Sequence, residues 1–211
     1  MSSLYPLIAL LTGYLLGSIP SGYLAGRWWM GIDIRQQGSG STGATNVLRV
    51  VGKGPALVVF LLDVGKGAAA VLLAKALLYQ AGQNNWTDSG VVAAGLAALA
   101  GHIWPIWLGW KGGKAVATGL GMLLGLAWPV GLACFGIFLA VLTFSRIVSL
   151  SSVVAALSLP LLMLGWFGSG GLRPAYLALA LLTTTLVVWR HRANLVRLRE
   201  GSEPRLGEKR D

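Results

Sequence analysis

The stretch that decides the fold is AVATGLGMLLGLAWPVGLACFGIFLAVLTF, residues 115–144. It is apolar throughout and longer than the about 17–25 residues that one membrane-spanning helix requires. Trp128-Pro129 stands near its middle, and a proline disfavours helix at the residue before it. The stretch therefore predicts two short helices joined by a tight turn.

Five further apolar runs are predicted to cross a bilayer as helices. They cover residues 4–25, 56–78, 90–108, 151–167 and 174–189. Together with the two helices of residues 115–144, they predict seven transmembrane spans. The amino terminus lacks the basic region and the small-residue cleavage pattern of a signal peptide, so we expect the first run to be a retained helix.

The composition agrees with a membrane protein. Of the 211 residues, 55% are hydrophobic and 11% are charged, and the mean hydropathy is +0.69. A soluble domain carries about 25% charged residues, so a soluble enzyme, a disordered chain and a coiled coil are excluded. The single cysteine, Cys134, excludes a disulfide framework and a cysteine-based metal cluster. The predicted fold class is an all-α integral membrane protein.

The positive charge predicts the orientation. The net charge is +10, and 14 of the 17 Lys and Arg residues fall in loops that follow odd-numbered spans or in the tail. This bias predicts an amino terminus outside and a carboxyl terminus in the cytoplasm. Because the charge is scattered through short loops, a nucleic-acid partner is excluded. We expect one polytopic membrane domain over residues 1–211, with a short basic tail from about residue 190 to 211.

A glycine-rich loop follows the first span, on the predicted cytoplasmic side. It reads GSGSTGATN, residues 38–46, and Arg49 comes shortly after it. Glycine permits a positive φ and close approach of the backbone, so consecutive amides could form a nest for an anion. The alternative is a flexible polar linker. The candidate anion-binding residues are Gly38, Ser39, Gly40, Ser41, Gly43, Thr45, Asn46 and Arg49.

Ionisable residues also lie at the ends of the predicted spans. Asp63 and Lys66 share one helix face, and an ionisable pair near the membrane indicates a functional site. A structural ion pair is the alternative for these two residues. His102 is a candidate for the chemistry, with a hydrogen-bonded interfacial histidine as the alternative.

Three later segments add polar groups on the same predicted side. Gly112-Gly113-Lys114 could bring amides and an ammonium to a phosphate at a helix start, or could only mark topology. Arg146 and Ser149 precede the sixth span, where we expect Ser151 to be the N-cap. His191 and Asn194 follow the seventh span with a spacing that places them on one helix face, although an arginine-rich end could simply bind lipid headgroups.

Taken together and in this order, these motifs resemble the bacterial acyl-phosphate-dependent glycerol-3-phosphate acyltransferase family, the PlsY type. The resemblance covers nearly the whole chain. The motifs that carry it are GSIPSG at 17–22, GSGSTGATN at 38–46, DVGKG at 63–67, Gly101-His102 with Gly112-Gly113-Lys114, Arg146 with Ser149 and Ser151, and RHRAN at 190–194. Two positions depart from the family pattern: Ser41 stands where Asn is usual and Ala115 where Gly is usual. We expect Ala115 to require an ordinary φ.

The resemblance implies an enzyme of the bacterial plasma (inner) membrane with a cytoplasmic active site. It would transfer a fatty acyl group from acyl phosphate to the 1-position of glycerol 3-phosphate, giving lysophosphatidic acid and inorganic phosphate. The resemblance implies that the protein is surrounded by membrane lipid, and it implies no metal or organic cofactor. The oligomeric state stays open.

The residue roles follow from the same resemblance. The glycine-rich loop, led by Ser39, is expected to bind one phosphate. The other phosphate and the glycerol would be bound by Lys114, Arg49, Ser149, His191 and Asn194, with further contacts from Lys66, Gly112, Gly113 and Arg146. His102, His191, Asp63 and a substrate phosphate oxygen are the four candidates for the proton acceptor.

Two other classes compete with an enzyme. A transporter of an organophosphate or another anion would suit seven helices with intramembrane charges, but no inverted repeat is visible. A helical scaffold would explain the glycines but not the histidines and lysines. The His-x4-Asp pair of other glycerolipid acyltransferases is absent, since Trp107 and Val196 occupy the fifth positions after the two histidines.

Overall fold

The computed structural model describes residues 4–82, 87–167 and 173–208, and within these ranges the regular structure is helical. The end of the predicted basic tail, residues 209–211, lies outside the described residues. The α-helices are α1 (Leu4–Ser18), α2 (Ser21–Met30), α3 (Ala44–Val50), α4 (Lys53–Gln80), α5 (Thr87–Ile103), α6 (Val116–Ser145), α7 (Val148–Phe167), α8 (Pro174–Arg190) and α9 (Arg192–Arg199). Short 3-10 turns cover Ile34–Gln36 and Ile106–Leu108.

Within the described residues, five helical segments are long and apolar enough to cross a membrane. They are Leu4–Met30, Lys53–Gln80, Thr87–Leu108, Val116–Ser145 and Val148–Phe167, and the apolar helix Pro174–Arg190 is shorter. Many large apolar side chains on these helices are exposed, among them Leu61, Phe144 and Leu161. A surface of this kind fits surrounding lipid, which confirms the predicted all-helical membrane fold.

The first predicted span, residues 4–25, lies within the spanning segment Leu4–Met30, but two helices form it where one was expected. The chain leaves the helix after Ser18 and begins α2 at Ser21, with Pro20 as the N-cap. Proline has no N–H to donate and disfavours helix at the residue before it, here Ile19. At the break, the carbonyl of Ile19 accepts from the backbone N–H of Ser21 at 3.0 Å and from Nζ of Lys66 at 2.9 Å.

The predicted interruption of residues 115–144 lies in α6, one residue before Trp128-Pro129. Ala127 has φ −147° and ψ 80°, which are not helical, so two helical segments meet there. Pro129 cannot donate to the carbonyl four residues earlier, that of Gly125. Nζ of Lys75 donates to this carbonyl at 2.7 Å and to that of Leu126 at 3.3 Å. A cationic side chain thus replaces the missing backbone donor.

The chain forms two compact units that divide between Ala127 and Trp128. In the first unit, α1 packs closely on α5 because glycines let the two backbones approach. A Cβ placed on Gly13 or Gly17 would overlap the carbonyls of Ala94 or Ala98. Helix α4 packs on both α1 and α5, and the short helix α3 packs on α4.

In the second unit, α7 and α8 form the main helix pair and α9 packs on both. The hydroxyl of Thr184 donates to the carbonyl of Ala156 at 2.6 Å and joins α7 to α8. Helix α7 begins at Val148, three residues before Ser151, so the predicted N-cap role of Ser151 is wrong. Its hydroxyl instead donates back to the carbonyl of Ile147 at 2.9 Å.

Candidate functional site

The glycine-rich loop is organised by the buried side chain of Asn46, in the first turn of α3. Its amide nitrogen lies within hydrogen-bond distance of three carbonyls, which share its two N–H groups: those of Ile34 at 3.1 Å, Gln37 at 3.0 Å and Ser41 at 2.9 Å. Its amide oxygen accepts from the backbone N–H of Ser39 at 2.8 Å. One side chain therefore gathers the whole loop, so the flexible-linker interpretation does not describe it.

Two glycines give the loop its backbone conformation. Gly38 and Gly40 have φ of 58° and 69°, in the left-handed region that favours glycine. The N–H of Gly40 donates to the carbonyl of Gln37 at 3.0 Å, and the N–H of Gly43 reaches Oγ of Ser41 at 3.3 Å. Among residues 4–82, 87–167 and 173–208, no acceptor lies within hydrogen-bond distance of the backbone N–H of Ser41 or Thr42. These two amides are therefore better candidates for binding an anion than the amide of Ser39, which donates to Asn46.

The remaining predicted residues of this loop lie on α3. Thr45 is half-buried in the first turn of the helix, while Arg49 is exposed in its last turn. A guanidinium with this placement can bind an anion in solution or at the membrane surface.

A buried polar cluster surrounds Asp63 in the middle of α4. The carboxylate, 1% exposed, accepts from the hydroxyl of Ser21 at 2.5 Å and pairs with Nζ of Lys66 at 2.8 Å. Nδ1 of His102 lies 3.6 Å from the same carboxylate oxygen and 3.1 Å from the hydroxyl of Thr118. The predicted ion pair of Asp63 and Lys66 is present, and it reaches His102 on α5.

A small pocket adjoins this cluster at the break between α1 and α2. Its polar lining comes from four helices and the glycine-rich loop and includes Ser18, Ser21, Thr42, Lys66 and His102. The glycine-rich loop therefore contributes to the same pocket as the buried ion pair. In the described parts of the chain, no group of three or more His, Cys, Asp or Glu side chains is arranged to bind a metal ion.

The segment 109–115 follows α5 and is tied back to it. The N–H groups of Gly112 and Gly113 donate to the carbonyls of Ile103 and His102, both at 3.1 Å. Gly113 also lies against the imidazole of His102, where any Cβ would overlap the ring. Lys114 is half-buried at the end of this segment, directly before α6.

The expectation of an ordinary φ at Ala115 is wrong. Its φ is 59°, in the left-handed region that a Cβ disfavours by about 1–2 kcal/mol. Gly109 and Trp110 also have positive φ, of 60° and 65°. The segment thus has residues with positive φ on both sides of its buried glycines. Ala115 adopts a conformation that glycine would adopt more readily.

In the second unit, the predicted residues Ser149 and Asn194 share one buried carboxylate, that of Glu203. Oε1 of Glu203 accepts from the hydroxyl of Ser149 at 2.8 Å and from the amide of Asn194 at 2.6 Å. Its Oε2 accepts from Nε of Arg197 at 2.7 Å. Burial would raise the pKa of Glu203, but the hydrogen bonds from Asn194, Ser149 and Arg197 more than offset it and lower this pKa.

Sequence analysis missed Glu203. It lies in the predicted basic tail, where only His191 and Asn194 were considered as site residues. An acidic residue followed by proline in an arginine-rich segment, Glu203-Pro204, was the available signal. Its partners could not be read from the sequence because one of them, Ser149, is 54 positions away.

His191 and Arg146 occupy junctions of the second unit. His191 is buried between α8 and α9, and its Nδ1 lies 2.8 Å from the carbonyl of Val187. A carbonyl only accepts, so Nδ1 carries the proton and Nε2 is the acceptor nitrogen of the neutral ring. Arg146 lies between α6 and α7 and has a φ of 59°. Its carbonyl accepts from the backbone N–H of Leu206 at 2.7 Å, and its guanidinium donates to the carbonyl of Leu206 at 2.9 Å.

Apolar helices of spanning length that enclose two buried polar clusters define a polytopic membrane protein with a polar site. Comparison with known proteins gives the particular family: residues 7–201 match the family Glycerol-3-phosphate acyltransferase. The chain belongs to this family, and to its PlsY type.

Curated relatives and solved structures agree with this assignment. Glycerol-3-phosphate acyltransferases of Prochlorococcus marinus (strain MIT 9313) and Synechococcus sp. (strain CC9902) are 71% and 69% identical, over 96% of this chain and 95% and 96% of theirs. The crystal structure of PlsY (YgiH), an integral membrane glycerol 3-phosphate acyltransferase in its glycerol 3-phosphate form, is 37% identical with a TM-score of 0.84 and covers 96% of both chains. A second form of that enzyme, with lysophosphatidic acid, gives a TM-score of 0.81 at 36% identity, over 96% of this chain and 95% of that one.

Proposed function

We propose that this protein transfers a fatty acyl group from acyl phosphate to the 1-position of glycerol 3-phosphate. The products are lysophosphatidic acid and inorganic phosphate, and the reaction begins phospholipid synthesis. The observation that carries the proposal is the match over nearly the whole chain to an enzyme solved in a glycerol 3-phosphate form and a lysophosphatidic acid form.

The chemistry of these substrates suits the polar residues. In the reaction, the glycerol oxygen bonds to the acyl carbon, the bond from that carbon to the phosphate oxygen breaks, and the hydroxyl proton leaves. Acyl phosphate is a mixed anhydride with a good leaving group, so the protein has mainly to orient two anions. Orientation of this kind contributes up to about 7–11 kcal/mol to lowering a barrier.

The proposed phosphate-binding groups are those that the sequence predicts. The loop 38–46 would offer the free amides of Ser41 and Thr42 and the hydroxyl of Ser39 to one phosphate. Lys114, Arg49, Ser149, His191 and Asn194 would bind the other phosphate and the glycerol, with Lys66, Arg146, Gly112 and Gly113 supporting them. The cations neutralise the repulsion between two phosphates, and the donor's alkyl chain stays in lipid.

For the proton acceptor, the hydrogen bonds favour a histidine over Asp63. The carboxylate of Asp63 already accepts from Ser21 and Lys66, which fits a positioning role. Nε2 of His191 is an acceptor by virtue of the bond from Nδ1 to Val187. We therefore expect His191→Ala to lower kcat more than Asp63→Asn does; equal losses in KM alone for both, and for His102→Ala, would favour a phosphate oxygen as the base.

The proposal includes the setting in the membrane. We propose seven spans in a single domain of the bacterial inner membrane, with the amino terminus outside and the site and carboxyl terminus in the cytoplasm. The count of seven includes two spans from residues 115–144. The distribution of Lys and Arg supports this orientation.

Purified protein with radiolabelled glycerol 3-phosphate and acyl phosphate tests the activity. We expect label in a lipid-extractable product, with acyl phosphate and not acyl-CoA as donor. Lys114→Met should abolish most of the conversion, whereas the matched change Lys53→Met, at the exposed start of α4, should not. Uptake into vesicles without conversion would instead indicate a transporter, and neither result would indicate a scaffold.

A further inference from the structure

Arg35, which sequence analysis counted only as an orientation signal, makes an unusually complete set of contacts. Its Nε donates to both carboxylate oxygens of Asp33, at 3.0 and 3.2 Å, and its Nη2 donates to Oδ2 at 2.7 Å. Asp33 also accepts from the backbone N–H of Arg35 at 3.0 Å, which caps the turn Ile34–Gln36. The guanidinium fork is therefore fixed at the start of the glycine-rich loop.

The same guanidinium reaches a second loop. Its Nη1 donates to the carbonyl of Leu108 at 3.0 Å, a contact across 73 positions of the sequence. Leu108 directly precedes Gly109 and Trp110, both with positive φ, where the backbone turns toward Lys114. The bond thus fixes the beginning of the segment 109–114, whose end is fixed by the bonds of Gly112 and Gly113 to α5.

Packing and charge keep the guanidinium in this place. Its carbon atom lies 5.1 Å from the centre of the Tyr23 ring on α2, within range of a cation–π contact. The hydrogen bonds with Arg35 lower the pKa of Asp33, so the carboxylate stays charged at neutral pH. The hydrogen bond with Asp33 raises the pKa of Arg35 in turn.

We propose that Arg35 is a positioning residue for acyl transfer, because its fork joins the glycine-rich loop 38–46 to the segment 109–114 that carries Lys114. This inference rests on the proposed function, in which the two segments bind phosphate groups. Arg35 itself contacts backbone and Asp33, so it acts through the segments it aligns. Lysine cannot replace it, since an ammonium cannot bond a carboxylate with a fork and reach Leu108 at once.

The test uses Arg35→Lys, which keeps the charge and removes the fork. We expect kcat/KM per folded molecule to fall about tenfold or more, with a loss in kcat as well as a rise in KM. Hydrogen exchange measured by mass spectrometry should show faster exchange of the amides of segment 109–114. Arg27→Lys is the matched control, because Arg27 also lies beside Tyr23, at 5.9 Å, but is exposed and donates to the carbonyl of Gly31 at the end of its own helix.

A second variant guards against a trivial loss of folding. Asp33→Asn should reproduce most of the effect, and the double variant should be little worse than Arg35→Lys, since both act on one contact. Unchanged exchange in segment 109–114 would show that Arg35 does not hold this segment in place. Faster exchange with unchanged kcat/KM would show that holding the segment does not matter for the reaction. Absence of acyl transfer in the unmodified protein would count against the proposed function. The exchange experiment would still test whether Arg35 holds segment 109–114 in place.

Discussion

The Asn46 side chain orders an irregular loop with bonds that a helix or sheet would otherwise supply. It binds three carbonyls and one amide within residues 34–46. Without the side chain, the N–H of Ser39 and the carbonyl of Ser41 would lose this partner, whereas the carbonyls of Ile34 and Gln37 would still accept from backbone N–H groups. An unsatisfied buried polar group costs about 1–3 kcal/mol. The loop's geometry therefore depends on the donor and acceptor ends of one amide.

Replacing Asn46 by aspartate tests this dependence with almost no change in shape. The new carboxylate oxygen would face three carbonyl oxygens, so Asn46→Asp should be at least as damaging as Asn46→Ala. We expect a loss of thermal stability and a fall in kcat/KM of about tenfold or more for both variants. Gln37→Ala, an exposed neighbour, serves as the control for unfolding in detergent and for activity. Near-normal activity of Asn46→Asp would contradict the structure of the loop.

Glu203 gives a prediction for pH. Because its pKa is lowered in the folded protein, it contributes stability that is fully present above the unfolded value, about 4.3, and is lost as pH falls through the folded value. Glu203→Gln should cost about 1–3 kcal/mol at pH 7, since it removes a charged acceptor of three hydrogen bonds.

Thermal unfolding of both proteins from pH 7 to pH 3 measures this effect. The difference in stability should be constant at neutral pH and shrink in acid, when the native carboxylate becomes protonated. Glu200→Gln, on an exposed residue, provides a control with the same change of charge. A difference that grows in acid would have the wrong sign and would refute the assignment.

At the scale of helices, prolines decide where the long apolar segments break. Pro20 separates α1 from α2, and Pro129 leaves the carbonyl of Gly125 without its backbone donor. At both breaks a lysine of α4 donates to a carbonyl: Lys66 to that of Ile19, which also accepts from the N–H of Ser21, and Lys75 to that of Gly125. Lys75 thereby replaces a backbone donor that Pro129 cannot provide.

Lys75→Met should weaken the packing of α4 on α6. Methionine fills similar space but donates no hydrogen bond, so we expect a loss of about 1–3 kcal/mol in the free energy of unfolding. Thermal unfolding in detergent, compared with Lys53→Met at the exposed start of α4, measures it. Equal stability of the two variants would show that water or lipid replaces the lysine without cost.

The same proline rule explains what sequence could and could not predict about the helices. It located the break in α6 within one residue, and applied to Ile19-Pro20 it would have found the break after α1. The helical membrane fold follows from the apolar runs alone, because lipid demands internal hydrogen bonding. Helix α3 is only seven residues long and carries no apolar period, so tertiary contacts decide it.

The site was predictable in its residue types and less so in its contacts. Asp63 and Lys66 are three positions apart on one helix, and their pairing follows from local geometry. The bonds of Asn46 to the loop, of Glu203 to Ser149 and of Arg35 to Leu108 depend on approach between distant segments. Ala115 likewise adopts a left-handed φ that its own preference opposes, because the segment around it imposes the course.

At the scale of the whole molecule, the proposal requires the loop 38–46 and the segment 109–114 to face the same side of the membrane. Cysteines introduced at the exposed positions Gln37 and Lys111, in a background with Cys134→Ala, should react with an impermeant maleimide only in inside-out vesicles. A cysteine at Asn84, in the opposite predicted loop, should react only in right-side-out vesicles. Labelling of Gln37 and Lys111 from opposite sides would end the acyl-transfer proposal.

The single amide that gathers the glycine-rich loop also sets how the enzyme would age. Hydrolysis of the Asn46 side chain would turn its nitrogen into a second oxygen and release ammonia, with no break in the chain. Burial within a helical turn shields this group from water, so an ordered loop also protects the amide that orders it. Long storage in warm alkaline buffer should therefore inactivate the protein sooner when nothing occupies the loop.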